Sequence, residues 1–178
     1  MSNRTTTPTK TRQGAGLLAV ARRTSLHPGK PILLGQRSRN VRSPLTWAPL
    51  GGWIEPGEEP ATAARREFTE ESGHGGAVEL VDGSHWEYRI GFWPLPAFSF
   101  HNFVGLVDDQ FSVGRVQRWE VEEAKWFSLD EIDALTTPGL LSPFGVPGGI
   151  HPGLRAYLRR KGIRTLLVEL CGPAAANA

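Results

Sequence analysis

Six of the chain's 18 acidic residues fall in the 17 positions from Glu55 to Glu71. Three of them, Glu67, Glu70 and Glu71, are spaced i, i+3 and i+4, which stacks them on one face if the segment is helical. Like charges so placed repel and weaken an isolated helix. A divalent cation reverses that penalty. Mg²⁺ suits the arrangement because it prefers oxygen ligands in octahedral geometry and keeps several waters, so a few carboxylates and substrate phosphate oxygens complete its shell. A bare ExxEE is more often a solvated acidic face. Gly51-Gly52 just upstream, Glu58 in the intervening loop and Arg66 beside Glu67 argue for the metal.

The element that must carry these carboxylates is the clearest helix in the chain. Pro60 suits a first helical position, Ala61, Ala63 and Ala64 favour the interior, and Gly73 suits the residue just past a helix end, which predicts a helix over 60–72. Short apolar runs at 16–21 and 32–34, split by His27-Pro28-Gly29, read as paired strands. The stretch 45–54 reads as extended and broken by glycines. Further strands are expected at 77–81, 86–91, 98–107 and 123–127, with Ser128 capping a short helix over 129–135. Four prolines and five glycines make 136–153 a long loop. A last helix is expected over 154–161. Strands and helices therefore interleave in an α/β or α+β class with a mixed sheet.

Composition bounds the rest. A chain of 178 residues with 39% hydrophobic and 21% charged residues suits one globular domain. Residues 1–12 read as a disordered leader, 13–170 as the domain and 171–178 as a flexible tail. No apolar run is long enough to span a membrane, and the N-terminus lacks the apolar stretch of a secretory signal. A lone cysteine, Cys171, fits a reducing compartment, so cytoplasm is the expected location. The net charge of +2 hides an asymmetry: nine Lys or Arg precede the first acid, Glu55. A basic part that meets phosphates and an acidic part that meets metal ions would divide in this way.

The segment GWIEPGEEPATAARREFTEESGH has the spacing G-x5-E-x7-R-E-U-x-E-E-x-G-U, with U a bulky aliphatic residue. It resembles the Nudix box, with Gly52, Glu58, Arg66, Glu67, Phe68, Glu70, Glu71 and Gly73 in place and His74 as the mismatch. The resemblance extends through GAGLLAV, ILLGQRS and TWAPLGGWIEPGE before the box and EVEEAKWFSLDEI after it, covering roughly residues 14–135. Leu50 departs from it, standing where many relatives have proline.

The resemblance implies an α/β/α sandwich around a mixed sheet and a Mg²⁺-dependent pyrophosphohydrolase, with Mn²⁺ as a substitute. It assigns metal ligation to Glu67, Glu70 and Glu71 with a backbone carbonyl near Gly51 or Gly52, and leaves the general base open between a box glutamate and a later loop. Glu120 is the preferred extra ligand or base, with Glu122 and Glu123 as rivals. Arg66 is expected to pair with Glu58 and hold the loop on the helix. Arg37 stands where relatives often contact phosphate, with a surface ion pair as the alternative. Trp86, Tyr88, Phe92 and Trp93 offer ring faces for a base, although core packing accounts for most such residues. His101 and His151 are left outside the catalytic set.

The expected substrate is a nucleoside diphosphate linked to another moiety, with a nucleoside triphosphate included. The proline that often marks ADP-ribose hydrolases is absent about 16 residues beyond the box, where Arg89 and Ile90 stand. The alternative is a non-catalytic module of the same fold that binds nucleotide or nucleic acid, for which the basic N-terminal part speaks. A degenerate module is expected to lack one or more of the glutamates, and none is missing. A homodimer is left open.

Overall fold

The apolar run at 16–21 is the middle of a longer strand, β1 (Arg12–Arg23). Eight consecutive residues of β1 are buried, as expected of a strand covered on both faces. The computed structural model describes residues 12–90, 98–113, 119–136 and 149–172. The other strands are β2 (Ile32–Arg37), β3 (Trp47–Ala48), β4 (Leu50–Trp53), β5 (Glu79–Leu80), β6 (Trp86–Ile90), β7 (Phe98–Asp109) and β8 (Val121–Phe127). The helices are α1 (Pro60–Ser72), α2 (Leu129–Thr136), α3 (Pro152–Leu158) and α4 (Lys161–Cys171).

β1 lies parallel to β7 along nearly its whole length, from Arg12 opposite Phe98 to Arg23 opposite Asp109. The other pairings between strands among the described residues are antiparallel. β1 also takes β4 beside its first half and β2 beside its second, while β8 and β3 pair with β2, and β6 and β5 pair with β7. The sheet is therefore mixed.

Side chains alternate across it. Leu17, Ala19 and Leu33 face α1, where Ala63, Ala64 and Phe68 complete a core with Trp126. Leu18, Val20, Ile32 and Leu34 face the other way, toward Ile132 of α2, Leu154 and Tyr157 of α3, and Ile163 and Leu167 of α4. The molecule is an α/β/α sandwich. Among the described residues no helix is long and apolar enough to cross a membrane.

Three expectations need correcting. The helix expected over 154–161 starts earlier, ends at Leu158 and is followed by a second, unexpected helix, α4. Its Ile163, Leu166, Leu167 and Leu170 recur at helical spacing and pack on the core, a stripe that outweighs Gly162 in the first turn. Cys171, assigned to a flexible tail, is the last residue of α4. Arg12, assigned to the leader, opens β1, while residues 1–11 and 173–178 lie outside the described residues. Most of the expected loop, 137–148, does too.

Candidate active site

α1 begins at Pro60 and is capped after Ser72 by Gly73, whose φ of 71° is the left-handed conformation that glycine adopts without strain. The Gly73 amide closes the helix on the Thr69 carbonyl. Burial of Ala63, Ala64 and Phe68 fixes the rotation of α1 about its axis. Full burial of a Phe side chain is worth about 1.5–3 kcal/mol. That rotation brings Glu67 and Glu71 under β4 and leaves the Glu70 side chain half exposed. His74, the departure from the box pattern, lies 4.4 Å from the Phe111 ring centroid and edge-on to Phe68, so it packs where an aliphatic side chain is usual.

Arg66 organises the loop. Its Nε and Nη2 donate to the two Glu58 carboxylate oxygens, both at 2.9 Å, and Nη2 also reaches the Trp53 carbonyl at 3.0 Å. Nη1 donates to Glu67 at 2.8 Å and to Glu70 at 3.3 Å. The bidentate hydrogen bond from Arg66, helped by the backbone at Glu55, pulls the Glu58 carboxyl down to about 2, and Arg66 is raised in turn. Arg66→Lys keeps the charge but loses the two-pronged fit. It is expected to lower stability by about 1 kcal/mol, read from a urea unfolding midpoint, with a proportionally larger fall in activity.

Gly51 and Gly52 bring backbone against carboxylates. The Gly51 amide donates to Glu71 Oε2 at 2.7 Å. A Cβ on Gly52 would lie 2.5 Å from Glu67 Oε2. Burial pushes the Glu71 carboxyl up to about 8, reinforced by the charges of Glu120 and Glu67. Burial also raises Glu67, with Arg66 opposing and Glu70 and Glu120 adding.

Three carboxylates from α1 and one from beyond β7 thus act on one another electrostatically. No three Asp, Glu, His or Cys side chains among the described residues form a ready-made cage. Instead Glu67 and Glu70 turn toward Arg66, and Glu71 toward the Gly51 amide. The donor chemistry fits Mg²⁺: hard oxygen ligands, mutual charge that a cation relieves, and a backbone held close by the missing side chain of Gly52.

Above these residues lies a cavity of about 420 Å³. Gly51, Gly52, Glu71 and Glu120 form its acidic end, and Arg37 and Arg42 line it as well. Arg37 is lowered by burial against the raising influence of Glu120 and Glu71, and its Nε donates to the Arg42 carbonyl at 2.9 Å. The rivals of Glu120 are engaged elsewhere: Glu122 accepts from the Arg39 amide, and Glu123 pairs with Lys125.

Tyr88, Phe98, Phe100 and Trp53 give the cavity an aromatic side. Trp53, half exposed, meets Phe98 edge-on at 5.6 Å and lies under Arg12. Trp53 is not among the expected site residues, although its place directly after Gly52 is a usable signal. Of the expected rings, Tyr88 reaches the cavity, Trp86 stacks on Tyr157 in the core, and Phe92 and Trp93 lie outside the described residues. His101 is buried on the other face of β7, its Nδ1 3.0 Å from Nε2 of His85.

His151, left out of the site by sequence, lines the cavity as the cap of α3. Its Nδ1 accepts from the Gly153 amide at 3.1 Å, so a neutral ring carries its proton on Nε2. Burial pulls this imidazole down to about 4, and the Arg37 charge adds to the effect. A histidine lowered in the fold binds its proton more readily when unfolded. Its contribution to stability is full above about pH 6.5 and is lost as pH falls from there toward 4. His151→Asn retains a capping acceptor without the titration. Thermal melts between pH 7.5 and 4 are expected to show a shallower acid loss in that variant than in the wild type.

A model of the NUDIX domain matches residues 10–143. The chain belongs to the Nudix family. This Nudix chain is 34% identical over 125 residues to the NAD-capped RNA hydrolase NUDT12 of Homo sapiens, covering 68% of this chain and 24% of that protein. It is 32% identical over 111 residues to the NAD-capped RNA hydrolase NudC of Pseudomonas aeruginosa, covering 60% and 35%. The chain thus spans about a quarter to a third of the length of these relatives. Among solved structures, a C. elegans Ap4A hydrolase binary complex superposes with a TM-score of 0.60 at 20% identity, over 89% of this chain and 98% of that one. The M. smegmatis Nudix hydrolase RenU gives 0.61 at 18% identity, over 86% of each chain. These two likenesses support the sandwich.

Proposed function

We propose that this Nudix chain hydrolyses a pyrophosphate bond in a nucleoside diphosphate linked to another moiety. The observation that carries this reading is one cavity in which Gly51, Gly52, Glu71 and Glu120 meet Arg37 and a wall of aromatic rings. Its volume of about 420 Å³ suits a nucleotide-sized ligand. The rings offer π-faces to a base, while Arg37 and Arg42 neutralise phosphate oxygens. Glu67, Glu70 and Glu71, with backbone at Gly51 or Gly52, would hold Mg²⁺, or Mn²⁺ in its place. Bound there, the metal supplies polarised phosphate oxygens and a water of lowered pKa.

The protein's own part is positional. Arg66 holds the carboxylate-bearing helix against the Glu58 loop, the Gly51 amide orients Glu71, and Glu120 faces the same space as an extra ligand or proton acceptor. Relatives named for NAD-capped RNA support a nucleotide-derived moiety beyond the diphosphate. A cytoplasmic location belongs to the same reading.

The test is a product assay over a panel of such compounds with Mg²⁺ and with Mn²⁺, including a nucleoside triphosphate, a dinucleotide and a dinucleoside polyphosphate. Release of a nucleoside monophosphate from at least one compound is expected, together with loss of the signal on metal removal. Nucleotide binding without any phosphate product points instead to the non-catalytic module.

A further inference from the structure

A second cavity, of about 410 Å³, lies on the outer layer between α2, α3 and α4. Arg155, Arg159, Lys161 and Arg164 give it four cationic side chains, against one carboxylate, Asp133. Thr136 and Thr165 add hydroxyls, and Leu158 is the only apolar side chain on the described wall. Asp133 is committed to Arg164, with Nη2 to Oδ2 at 2.5 Å. The other face of that guanidinium is not satisfied: Arg164 Nη1 and Arg155 Nε are buried and have no acceptor among the described residues. Buried N–H groups of charged side chains are costly to leave unpaired, so two in one cavity ask for a partner. No carboxylate side chain elsewhere can supply it, because all 18 Asp and Glu lie in described segments and only Asp133 lines the wall. The sequence shows the same excess, with five Lys or Arg and no acid between Asp133 and Glu169.

We propose that this cavity binds a small anion carrying two or more phosphate charges, at a site separate from the active pocket. Guanidinium groups donate in a planar fork that matches phosphate oxygens, and several cations around one space favour a multiply charged ligand. The described wall carries no aromatic side chain, unlike that of the active cavity. α3 takes part in both walls, with His151 and Leu154 on the active cavity and Arg155 and Leu158 on this one.

The test is a titration of metal-free protein with inorganic tripolyphosphate, followed by ¹H–¹⁵N spectra that resolve arginine Nε–H signals. Such spectra distinguish this cavity from anion binding at Arg37. A saturable shift of the Arg155 Nε–H signal is expected, with affinity about tenfold weaker in Arg159→Gln/Lys161→Gln, whose altered side chains are exposed. Arg160→Gln is the control for general charge, because Arg160 lies over the Trp86 ring and not on the wall. It is expected to change the affinity by less than about twofold. No saturable shift at Arg155, or an equal loss in the control, overturns the proposal. Neither outcome bears on the hydrolytic reading, which the panel assay decides.

Discussion

Glu70→Gln is expected to lower kcat by about 10²- to 10⁴-fold while leaving stability within about 0.5 kcal/mol of the wild type. The structure explains why the two effects separate. Glu70 sits on α1 with its side chain half exposed, and its one ion pair among the described residues, to Arg66 at 3.3 Å, is the longest of the three that Arg66 makes there. Glutamine keeps the volume, the helix propensity and an oxygen for Arg66. It loses the negative charge, which is what a divalent cation or a transferring proton requires. Steady-state turnover with saturating Mg²⁺, set beside a thermal melt, reads both quantities. Turnover near the wild-type rate would remove Glu70 from the proposed chemistry and shift the burden to Glu67, Glu71 and Glu120.

Adjacent glycines are expected to fail in opposite ways. A Cβ on Gly51 runs into the backbone of β1, at the Ala15 carbonyl oxygen and the Gly16 Cα, which cannot withdraw without breaking the β1–β4 pairing. Gly51→Ala is expected to cost about 3 kcal/mol, a fall in Tm of roughly 6–12 °C for a chain of this size. The three atoms nearest a Cβ on Gly52 all belong to the Glu67 carboxylate, at 2.5–2.8 Å, and that side chain can swing away. Gly52→Ala is expected to keep most of its stability and lose metal-dependent turnover, because the displaced carboxylate is one of those proposed to hold the metal. Melting curves and kcat for the two variants should therefore rank in reverse order. If both variants melt like the wild type, the close approach of β4 to β1 and α1 is not as described.

What the sequence disclosed follows from how local each signal is. Pro60, the alanines and Gly73 act within one helix, and α1 has the bounds they predict. The pairing of Arg66 with Glu58 spans eight residues of one loop and helix, and it too was legible. The expected run at 16–21 is shorter than β1 because Arg12 to Ala15 hold no strong strand formers. Their place comes from pairing with β7 and β4, which no local pattern announces. His151 reaches the cavity through the bridge between Trp47 and Ile150, a contact across about a hundred residues. Trp53 and Phe98 meet in the same non-local way. The acids were visible as a set because one helix carries them; the cavity's other walls come from segments that only the assembled sheet brings together.

The parallel ladder between β1 and β7 has a consequence for how the chain is made. Every residue of the acidic centre except Glu120 has left the ribosome by the time Ser72 has, yet β1 is still waiting for a neighbour whose last paired residue is Asp109. Until then its apolar middle can pair only with β4 and β2 and lacks cover on the β7 side. Closing so long a loop precedes the reward of the contacts, which makes such topologies slow to fold and exposes an unpaired strand edge in the interval. The nascent chain therefore holds an incompletely paired apolar strand and its carboxylate-bearing helix in one unfinished unit, and both are secured by the same late event.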